Sequence, residues 1–137
     1  MANRLYEQGR EAFARGQIDW VGATVRALLV DLADYTPNTA VGGDDNLDDI
    51  PAGARVATSA PLTGKTATGG VCDAADVTFT SVSGDVAEAI VLFVDSGTPS
   101  TSRLIAIIDT ATGLPVTPDG NNIAVTWDNG ANRIFRL

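Results

Sequence analysis

The chain of 137 residues contains no histidine, and that absence removes more chemistry than any other feature of its composition. Serine–histidine and cysteine–histidine catalysis are excluded, as are metal centres ligated by imidazole. Cysteine occurs once, at Cys72, so neither an internal disulfide nor a Cys-x-x-Cys cluster can form. Basic charge is scarce. Nine Lys and Arg face 17 Asp and Glu, a net charge of −8, which argues against unassisted binding to nucleic acid or an anionic membrane. Apolar runs are short. The longest, such as Ala89 to Val94, fall far below the roughly 20 residues of a bilayer-spanning helix. Residues 1 to 16 carry five charges and lack the apolar core of a signal peptide. With no Asn-x-Ser/Thr site either, the expectation is a soluble product of a reducing cytoplasm.

What is present is the composition of a folded domain: 45% hydrophobic residues against 19% charged ones. A chain of this size buries roughly two-thirds of its unfolded surface without covalent staples. Neither an internal repeat nor a linker breaks it, so residues 1–137 read as a single β-rich domain. One helix is expected, over about 3–15, with Asn3 as its cap, Glu7 near its start, Arg15 near its end and Gly16 as its stop. Leu5, Tyr6, Gly9, Ala12 and Phe13 fall on one stripe of it. Gly9 costs about 1 kcal/mol there relative to alanine, tolerable where another backbone passes close by. Two destinations suit this stripe: the domain's own core, or a neighbouring subunit that exchanges its terminal helix.

After Gly16 the period changes to two. Ala23–Leu32 reads as a strand, with Arg26 at a rim or paired, and Asp34–Asp49 as an acidic connection ending in a short turn at Asn46–Asp49. Ala54–Ala60, entered from Pro51 and left at Pro61, is a short strand. Lys65–Val71 and Asp76–Val82 alternate as half-buried strands do. Val86–Val94 and Leu104–Ile108 are apolar on both faces, which places them centrally in a sheet or between a core and a partner. Asn129-Gly130 fits a type I′ turn, so Ile123, Val125 and Trp127 are expected to face Asn132, Ile134 and Arg136 across a hairpin. Pro118-Asp119-Gly120 and Gly113-Leu114-Pro115 mark further turns. The fold expected is mainly β: an antiparallel β-sandwich or barrel with one N-terminal α-helix.

Candidate chemistry is thin. Gly64-Lys65-Thr66 looks like the end of a phosphate-binding loop, but Ser59 stands where its first glycine belongs and no helix follows. Asp44, Asp45, Asp48 and Asp49 could hold calcium through carboxylate oxygens, yet they lack EF-hand spacing and a closing glutamate. A solvated loop explains them more simply. Asp73, Asp76, Glu88, Asp95 and Asp109 could serve as acid–base groups, but nothing in the sequence links two of them to one pocket. Lone Cys72 reads as an inert small side chain. No catalytic, cofactor or metal-ligating residue is nominated, and no enzymatic activity is expected.

Leu5 to Phe13, followed by Ile18-Asp19-Trp20, by Ala27 to Asp31 and by Asp34-Tyr35-Thr36, resembles small structural virion proteins of tailed bacteriophages. Asp49 to Val56 with Leu62 to Lys65, and Thr112 to Pro118 leading to Trp127-Asp128-Asn129-Gly130, carry the same resemblance. It spans nearly the whole chain. The resemblance implies a capsid decoration (cement) protein on the capsid exterior, made in the host bacterial cytoplasm. Its partner would be the major capsid protein, and it would form a homo-oligomer, with a trimer as the expectation. Partner contacts are expected at Leu5, Tyr6, Phe13, Trp20, Phe135 and Leu137. Two alternatives stay open. One is a low-copy tail, neck or baseplate component; the other is an adhesion or carbohydrate-binding module stacking sugars on Trp20, Tyr35 or Trp127.

Overall fold

The structure, a computed structural model, describes residues 3–109, 113–127, 130 and 134–137. In chain order its elements are β1 (Arg4–Leu5), α1 (Glu7–Ala14), β2 (Val25–Val30), β3 (Arg55–Thr58), β4 (Val71–Cys72), β5 (Val77–Phe79), β6 (Ala89–Val94), β7 (Leu104–Ile108), β8 (Ile123–Val125) and β9 (Phe135–Arg136). The fold is mainly β and antiparallel throughout, with one α-helix near the N-terminus among the described residues, and it is sandwich-like.

The two doubly apolar segments occupy the middle of a five-stranded sheet ordered β1-β7-β6-β2-β3. Strands with no polar face need cover on both sides, and here the chain supplies it. Val25, Ala27, Leu29, Ile90, Leu92, Ile105 and Ile108 enter one core. Leu28, Val30, Ala89, Val91, Phe93, Leu104 and Ile107 enter a second on the opposite face. A β-bulge reconciles the two sets. The register slips between Leu92 and Phe93, so Phe93 pairs with Leu104 and Leu92 with Ala106, and Ile105 is the extra residue.

Two ribbons, β4 with β9 and β5 with β8, form the layer opposite the first face. Cys72, Phe79, Val125, Trp127, Ile134 and Phe135 pack from it into the first core. The second face is closed by the segment between β2 and β3, through Tyr35, Ile50 and Ala54. That segment carries the expected turn at Leu47–Asp49, where Asn46 and Asp49 cap each other reciprocally.

Four expectations are corrected. The helix begins at Glu7, not at residue 3, because Arg4 and Leu5 pair with Ile107 and Ala106 as an edge strand. Tyr6 is the N-cap residue without a side-chain cap, and Asn3 instead accepts a hydrogen bond from the Asp109 N–H at 2.9 Å. Lys65–Val71 is not a strand. Thr66 bridges Asp73, and a 3-10 turn at Thr68–Gly70 follows, with Gly69 and Gly70 both at positive φ (64° and 80°). Finally, the arms of the expected C-terminal hairpin pair elsewhere: Ile123–Val125 joins Val77–Phe79, and Phe135–Arg136 joins Val71–Cys72. Asp128, Asn129 and Asn132 lie outside the described residues.

Gly9 meets the close backbone approach expected of it. A methyl group there would collide with the Leu104 carbonyl oxygen and lie 3.1 Å from Ile105 Cα. Helix α1 therefore sits directly on β7, and any larger residue must push the two apart.

Candidate functional site

The six side chains expected to meet a partner are distributed unevenly. Leu5, Tyr6, Trp20 and Phe135 are buried in the chain's own cores, and Phe13 is half-buried against the first of them. Leu137 alone is largely exposed, at 54%. The fold brings three of them together. The Trp20 ring stands edge-on to the Phe135 ring at 5.1 Å, and the Phe13 ring lies 5.9 Å from that of Phe135. Trp20 also donates through Nε1 to the Asp73 carbonyl at 3.1 Å. Of the rings considered for sugar stacking, Trp20, Tyr35 and Trp127 are each buried, so their faces meet protein and not solvent.

The carboxylates serve the loops. Asp76 accepts from the Trp127 N–H, and Glu88 accepts from the Leu32 N–H. Asp95 accepts from the Gly97 N–H and from Arg26 Nε at 2.7 Å, and these bonds hold it below the usual aspartate range. The oxygens of Asp109 are buried without a hydrogen-bond partner among the described residues. In the acidic segment, Asp44 receives the Tyr35 hydroxyl at 2.6 Å and the Asn38 N–H. Tyr35 in turn meets the Tyr6 hydroxyl at 2.8 Å. Burial raises the titration of both phenols, so the relay stays protonated. Asp49 accepts from the Asp45 and Asn46 N–H groups, which lower its own affinity for a proton. Asp45, raised by burial and by Asp49, lies 3.6 Å from Arg103.

A different trio, missed by the sequence reading, has the proximity a cation needs. Oxygens of Asp31, Asp34 and Asp85 lie within 4.8 Å of one another. Asp31 is buried and already accepts from the Ala33 N–H, while Asp34 and Asp85 are exposed. Lys65 points its ammonium at the Ala23 carbonyl, and burial lowers its pKa. Burial pushes the Cys72 thiol up to about 11, which keeps it unreactive at neutral pH.

One open feature among the described residues is a groove between α1 and β9. One depression of about 540 Å³ is lined by Arg4, Leu5, Arg10, Ile108 and Arg136, among others. It adjoins a second of about 410 Å³ lined by Arg10, Phe13, Ala14, Arg136 and Leu137. Elsewhere among the described residues the cations are committed to the chain itself: Arg15 to Glu11, Arg26 to Asp95, Arg103 to Asp45, Arg55 to the Ile50 and Leu47 carbonyls, and Lys65 to Ala23. At the groove, Arg10 makes an exposed pair with Glu7 at 3.4 Å, and Arg4 is tied to the Thr39 hydroxyl. Among the described residues, Arg10 and Arg136 thus bring exposed positive charge to an apolar-walled cleft of an anionic protein.

No family model and no curated protein matches the chain.

Proposed function

We propose that this chain is a structural virion protein of a tailed phage, a capsid decoration (cement) protein that binds the exterior of the major capsid lattice as a homo-oligomer. The sequence resemblance motivates the reading, and one structural observation supports it best. The carboxylates of Asp31, Asp44, Asp49, Asp76, Glu88 and Asp95 are each spent fastening backbone, a turn or a neighbouring side chain, so the chain invests these polar groups in rigidity. A rigid domain with both sheet faces covered by its own residues suits display in many copies. Each copy then needs only a modest contact, because repeated contacts across a lattice multiply. The acidic exterior also keeps a dense array from adhering to nucleic acid or an anionic envelope.

Quantitative mass spectrometry of purified particles tests this reading. A copy number of the same order as the major capsid protein is the expected result. A handful of copies per particle would move the chain to the tail, neck or baseplate, and absence from the particle would overturn the structural role altogether.

A further inference from the structure

We propose that the groove between α1 and β9 is the seat for the acidic loop around residues 41–48 of a second copy of this chain. The inference does not depend on the particle role, since it concerns only how copies meet. It starts from two patches with complementary patterns.

The groove has apolar walls, Leu5, Phe13, Ile108 and Leu137, with the exposed guanidinium side chains of Arg10 and Arg136 at its rim. The loop is the reverse. Its tip is Val41, the most exposed large apolar side chain among the described residues at 84%. Asp44, Asp45, Asp48 and Asp49 follow within eight residues. Arg103 pairs with one of the four, and Arg55 spends its donors on carbonyls, so the loop keeps a net negative field. A single exposed valine is ordinary. A valine at the tip of an acidic loop, with an arginine-rimmed apolar cleft on the same molecule, is a complementary pair in both polarity and charge.

Their placement makes exchange between copies feasible. The loop is tied to the neighbourhood of the groove at its base, where Thr39 accepts from Arg4 Nε at 2.9 Å and from the Glu7 N–H at 2.9 Å. It is also held rigidly from below by the bonds of Tyr35 and Asn38 to Asp44. A fastened loop loses little conformational freedom on docking. Two different patches meeting in this way close as a reciprocal pair or as a ring. Either closure buries Val41 and Leu137 together.

The test is light scattering and sedimentation of the full chain, whose monomer mass is 14.1 kDa, across concentration and salt. The expected result is a closed oligomer that weakens as salt rises, since the contact is between exposed charges. Three variants separate this contact from any other: Arg10→Glu with Arg136→Glu, Asp48→Arg, and Val41→Ser. All change exposed side chains, so circular dichroism and melting should show an intact fold. Each should weaken self-association about tenfold or more. Mixing the groove-reversed variant with Asp48→Arg should restore association in part, because the unaltered acidic loop of the first again meets the unaltered arginine-rimmed groove of the second. A wild-type chain that stays monomeric at every concentration overturns the proposal. So does an oligomer whose stability the charge reversals leave unchanged.

Discussion

In β6 and β7 every residue from Ala89 to Phe93 and from Leu104 to Ile108 is buried. In the ribbons, Phe79 alone is buried within β5, and Val125 alone within β8. The two regions are held by different physics. The central strands bury both faces, so their stability comes from apolar area removed from water, roughly 25 cal/mol per Å². A one-residue slip would strand every side chain in the wrong core. The ribbons bury one face and are fastened by individual hydrogen bonds: Trp127 Nε1 to the Ala75 carbonyl, the Trp127 N–H to Asp76, and the Ser81 N–H to Asn122. Such bonds contribute about 1 kcal/mol each. The sheet should therefore set global stability, and the ribbons should open first.

Truncating the centre is the strongest way to break that ordering. Leu92 is fully buried between strands on both sides, so Leu92→Ala should cost about 3–5 kcal/mol in urea denaturation, through lost transfer energy and an uncollapsed cavity. A loss below about 1 kcal/mol would mean that the sheet centre is not the main store of stability. Gly9→Ala comes next. Its methyl group meets backbone and not a flexible side chain, so relief requires moving α1 off β7. Overpacking of this kind costs about 1–3 kcal/mol. A neutral or stabilising result would show that α1 adjusts freely and belongs with the ribbons.

These contrasts also mark how far the sequence could be read. Central position was legible because Ile90, Leu92 and Val94 alternate with Val91 and Phe93, and a strand apolar on both faces has few other places to go. Arg26 was legible as rim or paired, and it pairs with Asp95. Strand partners were not legible. Asn129-Gly130 is a strong local turn signal, yet Ile123–Val125 and Phe135–Arg136 pair with segments about 45 and 65 residues away. Alternation reports that a segment is a strand, but it says nothing of what lies beside it. The same limit hid the groove. Arg4 and Arg10 lie in the N-terminal segment and Arg136 in the last strand, and nothing in their spacing announces that β1, α1 and β9 converge. The Asp31, Asp34 and Asp85 trio was missed for that reason too.

Within the ribbons, Trp127→Phe keeps most of the buried ring and deletes the Nε1 donor to Ala75. The Ala75 carbonyl loses its partner, so the expected cost is about 1 kcal/mol. Hydrogen exchange should speed up in β5 and β8 while β6 and β7 stay unchanged. Equal acceleration in the central strands would mean that the two regions unfold as one unit, and the comparison would collapse.

The smallest effect lies at the rim of the sheet, where Arg26 of β2 meets Asp95 just beyond β6 at 2.7 Å. The two side chains are 30% and 27% exposed, so the pair is partly screened and contributes about 0.5–1 kcal/mol. Its pH dependence has a fixed sign. The Gly97 N–H and Arg26 hold the folded-state Asp95 below its ordinary pKa of about 3.9. The unfolded chain therefore takes up the proton first as pH falls. The contribution is fully present above the unfolded value and is lost on descending through the folded one. Asp95→Asn should be less stable than wild type at neutral pH, with the gap narrowing in denaturation at about pH 3, below that unfolded value. A gap that stays constant across this range would assign the effect to the Gly97 turn geometry. The rim would then be fastened in the manner of the ribbons, by neutral hydrogen bonds and not by charge.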